Sequence, residues 1–295
     1  MKKKLLITGA SGMLGKEFLK LLSFDYLVYT VGRSSIKTSK NHYLIDITEE
    51  DSLKQVLDLI NPEIIIHCAA NVNINDCEAN YENAYSLHVN STKVLSSHPT
   101  TDKFIYISTD SVFDGTKSNY IETDTVNPLN NYSKTKAKGE EIVLTFAKNP
   151  YIIRTNIIGF SPGLGNSFFE WGFNELRNSA NIKGFNDVFF NPLYTKDLAD
   201  KVNELLSLNI PKGIYNFSSS SSISKYHFLI EIAKEFNFDI KLIQSISIDA
   251  LNFGIKRPKN TTLNNAKASN NGIVFPSIQQ TIENLFKDFK KRTNA

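Results

Sequence analysis

Two short stretches carry side chains able to move a proton. Ser108-Thr109-Asp110-Ser111-Val112-Phe113-Asp114-Gly115 follows the apolar run Phe104-Ile105-Tyr106-Ile107, and Tyr132-Ser133-Lys134-Thr135-Lys136 opens the next amphipathic stretch. Helical residues four apart share a face, so Lys136 is expected beside Tyr132. A neighbouring ammonium stabilises phenolate and would bring the tyrosine down toward working pH. Such a phenol exchanges a proton with an alcohol or carbonyl oxygen. Thr109, closing the preceding strand, would give that oxygen a second hydrogen bond.

The N-terminus reads as a dinucleotide site. A short apolar run, Leu5-Leu6-Ile7, leads through Thr8-Gly9-Ala10-Ser11-Gly12-Met13-Leu14-Gly15 into a helical stretch from Lys16 to Leu22. Gly9 permits the tight turn, Gly12 lets a pyrophosphate approach the backbone, and Gly15 lets helix pack closely on strand. The phosphates would sit on the free N–H groups of the helix start, around Ser11, Met13 and Leu14.

The second strand, Tyr26 to Val31, ends in Gly32-Arg33-Ser34-Ser35. A 2′-phosphate needs a cation there, where a bare ribose takes Asp or Glu. Arg33 and Ser34 therefore favour NADP(H), with NADH as the second option. Asp46 ends the third strand before Ile47 and either accepts from an adenine amine or caps the helix that follows. Ala69-Ala70-Asn71, after the strand Glu63 to Cys68, is small and polar enough to lie close to a ribose.

The elements that must position these groups alternate. Strands are expected over 4–8, 26–31, 43–46, 63–68, 103–108 and 150–154, and helices over 13–22, 49–60, about 81–96 and 132–148. Near-continuous apolar strands in a βαβ rhythm predict an α/β fold, a Rossmann-type doubly wound parallel sheet covered on both faces. Asn61-Pro62 should end the second helix. Gly9, Arg33, Asp46, Ala69–Asn71 and Thr109 all fall at carboxyl ends of strands, where such a sheet binds its ligand. Beyond 157 the rhythm changes: a helix over 166–177, another over 195–208, a returning strand at 213–217, a polar loop at 218–222, a helix over 224–236 and a short strand near 240–243. Residues 1–157 with about 189–217 are expected to form the NADP(H)-binding domain. Residues 158–188 and 218–295 would form a smaller, discontinuous α/β substrate-binding lid.

Composition narrows the field. In 295 residues the net charge is only +3, and no basic stripe with interleaved aromatics occurs, so no nucleic acid is expected as partner. Cys68 and Cys77 cannot build a disulfide framework. His42, His67, His88, His98 and His227 lack ligand spacing, so no metal is expected. No apolar run reaches membrane-spanning length and no signal peptide is apparent, which predicts a cytoplasmic protein without membrane attachment.

These residues resemble the extended short-chain dehydrogenase/reductases, and more closely their dTDP-4-dehydrorhamnose reductase family. The resemblance rests on Thr8 to Gly15, Ala69-Ala70-Asn71 with Asp76-Cys77-Glu78, Ser108 to Gly115, Pro128-Leu129-Asn130-Asn131-Tyr132-Ser133-Lys134-Thr135-Lys136, Arg154-Thr155, Asp197-Leu198-Ala199 and Arg257-Pro258. It implies NADPH-dependent reduction of the 4-keto group of a nucleotide-linked deoxy sugar in polysaccharide biosynthesis, with Thr109, Tyr132 and Lys136 catalytic. Lys136 would also hold the nicotinamide ribose, and Asn90 would support the active-site backbone or a relay water. Thr109, Asp110 and Ser111 would face the sugar, and Arg257 its diphosphate. A homodimer is allowed.

The chain departs from the family at two places. Ser111 stands where the rhamnose enzymes usually carry Tyr, and Ile157 stands near a usual aromatic, which widens the expected substrate to other 4-keto-6-deoxy sugar nucleotides. The related dehydratases carry Glu at position 111, so dehydration is disfavoured. An epimerase retaining its nicotinamide cofactor and a non-catalytic, nucleotide-binding regulatory subunit are the alternatives.

Overall fold

The computed structural model describes residues 2–36, 38–163, 165, 167–252 and 254–293. Six strands, β1 (Lys4–Thr8), β2 (Leu27–Gly32), β3 (His42–Leu44), β4 (Ile64–His67), β5 (Lys103–Ile107) and β6 (Pro150–Arg154), join the strand Gly213–Asn216 in one sheet. Its order is Gly213–Asn216, β6, β5, β4, β1, β2, β3, and every pairing is parallel.

The apolar strands alternate between two cores. Leu5 and Ile7 pack with Phe18 and Leu22 of helix α1 (Gly15–Leu22) and with Leu198, Val202 and Leu205 of the helix Thr195–Ser207. Leu6, Ile65 and Tyr106 pack on the other face with Leu53, Leu57 and Ile60 of helix α2 (Glu50–Ile60) and with Val143. Leu53 and Leu57 are fully buried, and each contributes roughly 1.5–3 kcal/mol by leaving water. Asn61 ends α2 in the left-handed conformation at φ 51°, a backbone that asparagine tolerates.

From β1 the chain adds β2 and β3 on one side, then crosses to place β4 on the other side of β1. A crevice therefore opens above the carboxyl ends of β1 and β4. Helices Phe168–Arg177, Lys225–Glu235 and Ile278–Thr293 belong to a third core. Phenylalanine dominates that core: Phe169, Phe173, Phe190, Phe228 and Phe236 are buried together, with Phe173 and Phe236 edge to face at 5.0 Å.

Three local expectations differ from the structure. Residues 240–242 form a 3₁₀ turn, and the strand follows at Ile243–Ile246, paired with Ile182–Phe185. Ala268, Ile273 and Phe275, expected in the lid, pack into the core beside α1. The stretch 81–96 is not one regular helix: a π-helical turn, Ser86–Asn90, interrupts it. No helix among the described residues is long and apolar enough to cross a membrane.

Candidate active site

The turn after β1 is built for close approach. Gly9 has φ +70°, and a Cβ on it would lie 2.7 Å from the Ala69 nitrogen. A Cβ on Gly15 would lie 2.2 Å from the Gly9 carbonyl oxygen, so both positions require glycine. Ser11 and Gly12 are exposed at the crevice, Leu14 is buried beneath it, and no side chain caps the start of α1. No side chain therefore competes with an anion at the helix start, although the Gly12, Lys16 and Glu17 amides already donate to the Gly9, Gly12 and Leu14 carbonyls, and Met13 lies against Gly159 of the second half. These features fit a dinucleotide pyrophosphate.

Arg33 and Ser34 are exposed at the end of β2. Arg33 Nη1 stands 3.8 Å from Asp46 Oδ2. Asp46 Oδ1 accepts from the Thr48 amide at 3.0 Å and its hydroxyl at 2.8 Å, so Asp46 closes a local turn, while Glu49 occupies the cap of α2. Ile47 is buried in the second core and can meet a ligand only through its backbone.

The loop after β4 carries half-buried Ala69, Ala70 and Asn71. Its backbone is fastened at two points. The Ala69 amide donates to Thr8 Oγ1 at 3.2 Å, and the Asn71 amide donates to His88 Nε2 at 2.9 Å.

Thr109, Tyr132 and Lys136 come together at the ends of β5 and of the helix Asn131–Phe146, whose first turn is capped by Asn130 accepting from the Ser133 amide at 3.0 Å. Burial pushes the Tyr132 phenol up to about 12, and a hydrogen bond with Thr109 works the other way. The expected depression of Tyr132 by Lys136 is therefore corrected: desolvation of the phenolate dominates. The Lys136 ammonium instead donates to the Ile107 carbonyl at 2.7 Å and lies 3.9 Å from the centre of the Tyr106 ring. Burial holds Lys136 down at about 7, with Glu140 pulling it up. A protonated phenol beside a hydroxyl suits proton donation to an oxygen that is gaining charge.

A buried ion pair steadies this corner. Arg154 Nη2 meets Glu140 Oε2 at 2.7 Å with both side chains almost wholly excluded from water, and Ser108 donates to the same carboxylate. It binds β6 to the Tyr132 helix.

Two expected contacts are redirected. The Asp110 carboxylate is buried and accepts from Thr109, Ser111, Asn156 and Thr261. It anchors the site from below, because its oxygens are already taken by protein donors. Asn90 is exposed on its helix, whereas His88 is fully buried and touches both the Asn71 loop and the Tyr132 helix. The π turn widens the helix by one residue and re-aims its inner face. Ser111 is half-buried, its amide donating to Thr109 Oγ1 at 3.1 Å, and Arg257 is exposed on the second half.

Sequence reasoning missed His88, dispersed among five histidines with no ligand spacing, and Lys225. The Lys225 ammonium stands 4.8 Å from the Phe168 ring centre and 6.0 Å from that of Phe190. Burial brings it down to about 8; Arg257 acts in the same direction and Asp110 against it. A lone lysine opening a helix carries no sequence signal, because only the fold brings it near Asp110.

Comparison with known proteins adds a consistent result. The family described as RmlD substrate binding domain matches residues 3–291. A dTDP-4-dehydrorhamnose reductase of Aggregatibacter actinomycetemcomitans is 30% identical over 297 residues, covering 96% of this chain and 98% of the relative. The methionine adenosyltransferase 2 subunit beta of Mus musculus is 29% identical over 92% of this chain and 83% of its own length. The crystal structure of dTDP-4-dehydrorhamnose reductase from Bacillus anthracis in complex with NADP superimposes with a TM-score of 0.87 at 28% identity, covering 98% of this chain and all of that one.

Proposed function

This chain belongs to the RmlD family of extended short-chain dehydrogenase/reductases, and from that premise we propose that it uses NADPH to reduce the 4-keto group of a nucleotide-linked deoxy sugar. The observation that carries the reading is the meeting of Thr109 and Tyr132 beside Lys136, at the carboxyl edge of the sheet that also holds the glycine crevice.

The bound cofactor supplies a hydride to the keto carbon. The exposed backbone around Gly12 and the start of α1 would hold its pyrophosphate, and Arg33 with Ser34 its 2′-phosphate. As the carbonyl bond breaks, its electron pair collects on oxygen. Thr109, on turning its hydroxyl from Asp110 to that oxygen, would donate a hydrogen bond to it and Tyr132 would give it a proton, leaving an alcohol and a tyrosinate that solvent reprotonates. Lys136, with its cation fixed at the strand end, would bind the nicotinamide ribose and steady the tyrosinate. Lys225 and Arg257 make the opposite wall of the cleft cationic, in keeping with a nucleotide diphosphate. The expected setting is the cytoplasm, and sedimentation would decide whether the protein works as a dimer.

The test is loss of nicotinamide absorbance with a panel of nucleotide 4-keto-6-deoxy sugars, NADPH and NADH run in parallel, and products identified by mass spectrometry. Turnover with NADPH preference is expected. Tight NADPH binding with no turnover across the panel would reject it. The likeness to methionine adenosyltransferase 2 subunit beta favours a regulatory subunit as the second reading. Stable co-purification with another enzyme and no hydride transfer would select it.

A further inference from the structure

His88 is fully buried inside a π-helical turn and its ring bridges two parts of the site. The Asn71 amide donates to Nε2 at 2.9 Å, so that nitrogen presents its lone pair. Burial holds the ring down at about 3, so it is neutral and its single proton sits on Nδ1. Nδ1 then donates to Thr135 Oγ1 at 2.8 Å, and that hydroxyl donates on to the carbonyls of Asn131 and Tyr132, each at 2.9 Å. The ring edge also meets the Tyr132 ring, centre to centre 5.9 Å.

The same segment is tied into the sheet. Thr92 donates to the His88 carbonyl at 2.7 Å, which leaves its oxygen to accept from His67 Nε2 at 3.0 Å. His67 Nδ1 therefore accepts from Thr8 Oγ1 at 2.6 Å, at the very end of β1. Gly139 lets the Tyr132 helix close on this segment, because a Cβ there would lie 2.8 Å from the His88 carbonyl oxygen.

The geometry points to His88 as a positioning residue that fixes the distance between the Asn71 loop and the Tyr132 phenol. A fixed-tautomer imidazole with one acceptor and one donor, held by a π turn, is a two-ended bracket. It touches no reacting atom. The assignment rests on the reductase reading, since it is the proton donor of that reaction that the bracket would place.

The test replaces His88→Phe, which keeps a buried ring and deletes both hydrogen bonds. In the full-length protein kcat should fall about 10- to 100-fold, the scale of a small misplacement of a reacting group. NADPH affinity should change little, and amide hydrogen exchange should accelerate over 69–73 and 131–135 while α2 stays protected. His88→Gln, whose amide oxygen can accept from Asn71, should recover part of the rate. Should His88→Phe fail to fold, Thr135→Val cuts the other end of the bracket and should lower kcat on its own. An unchanged kcat in folded His88→Phe, or in Thr135→Val where His88→Phe does not fold, with the wild type turning over, would overturn the proposal. A wild type inert toward every keto sugar would overturn the reductase reading instead, and the exchange pattern would still decide whether His88 holds the two segments.

Discussion

The Lys136 ammonium donates to the Ile107 carbonyl at 2.7 Å, so the cation of the Tyr-x-x-x-Lys pair is tethered to the end of a strand. Spacing alone places it beside the phenol; burial decides what either group does. With Tyr132 pushed up to about 12, the phenol stays protonated through neutral pH and is poised to give a proton.

Tyr132→Phe keeps the ring and removes that proton. Steady-state kinetics should show kcat reduced by about 100-fold or more, the range of a positioned general acid, with NADPH binding retained in a fluorescence titration. An unaltered rate would exclude Tyr132 as donor.

Lys136 carries a pH signature. Its folded value is held at about 7 against an ordinary 10.5. Above about 7 and up to 10.5 the unfolded chain keeps a proton that the folded one has released, so this residue makes stability rise with pH across that window. Lys136→Met should abolish turnover and flatten that part of the urea-denaturation profile. A wild-type profile as flat as the variant's would contradict the lowered value of the buried Lys136 amine.

Arg33 is exposed beside Asp46, 3.8 Å away. Arg33→Ala should weaken NADPH by about tenfold, the order of one charge-assisted contact, and leave NADH nearly unchanged. Equal losses for both cofactors in parallel titrations would refute the 2′-phosphate contact.

Glu140 and Arg154 form a pair excluded from water. Glu140→Gln strands the guanidinium and should cost about 3–5 kcal/mol in urea unfolding. Adding Arg154→Met removes the stranded charge and should recover part of that loss. No recovery would mean that packing, and not the unpaired charge, sets the penalty.

The parallel sheet, its crevice and the Gly9, Thr109 and Tyr132 positions were legible because apolar runs and glycine spacing are local signals. The π turn was not. Its sequence, Ser86-Leu87-His88-Val89-Asn90, reads as ordinary helix, and the one-residue widening that buries His88 and exposes Asn90 is settled by packing against Tyr106 and the Tyr132 helix. The direction of the Tyr132 shift was equally hidden, since desolvation depends on segments far apart in the chain. Lys225 lies 115 positions after Asp110 and enters the site only through the chain's late return.

Asp110 fastens Asn156, from the end of β6, and Thr261, from the late strand-like segment, with a single carboxylate oxygen. Prising Thr261 away would strip a donor from a carboxylate sealed off from water, a cost of about 1–3 kcal/mol or more. The cleft is thus latched on this side, where one sealed carboxylate oxygen holds the sheet and the late segment of the chain together.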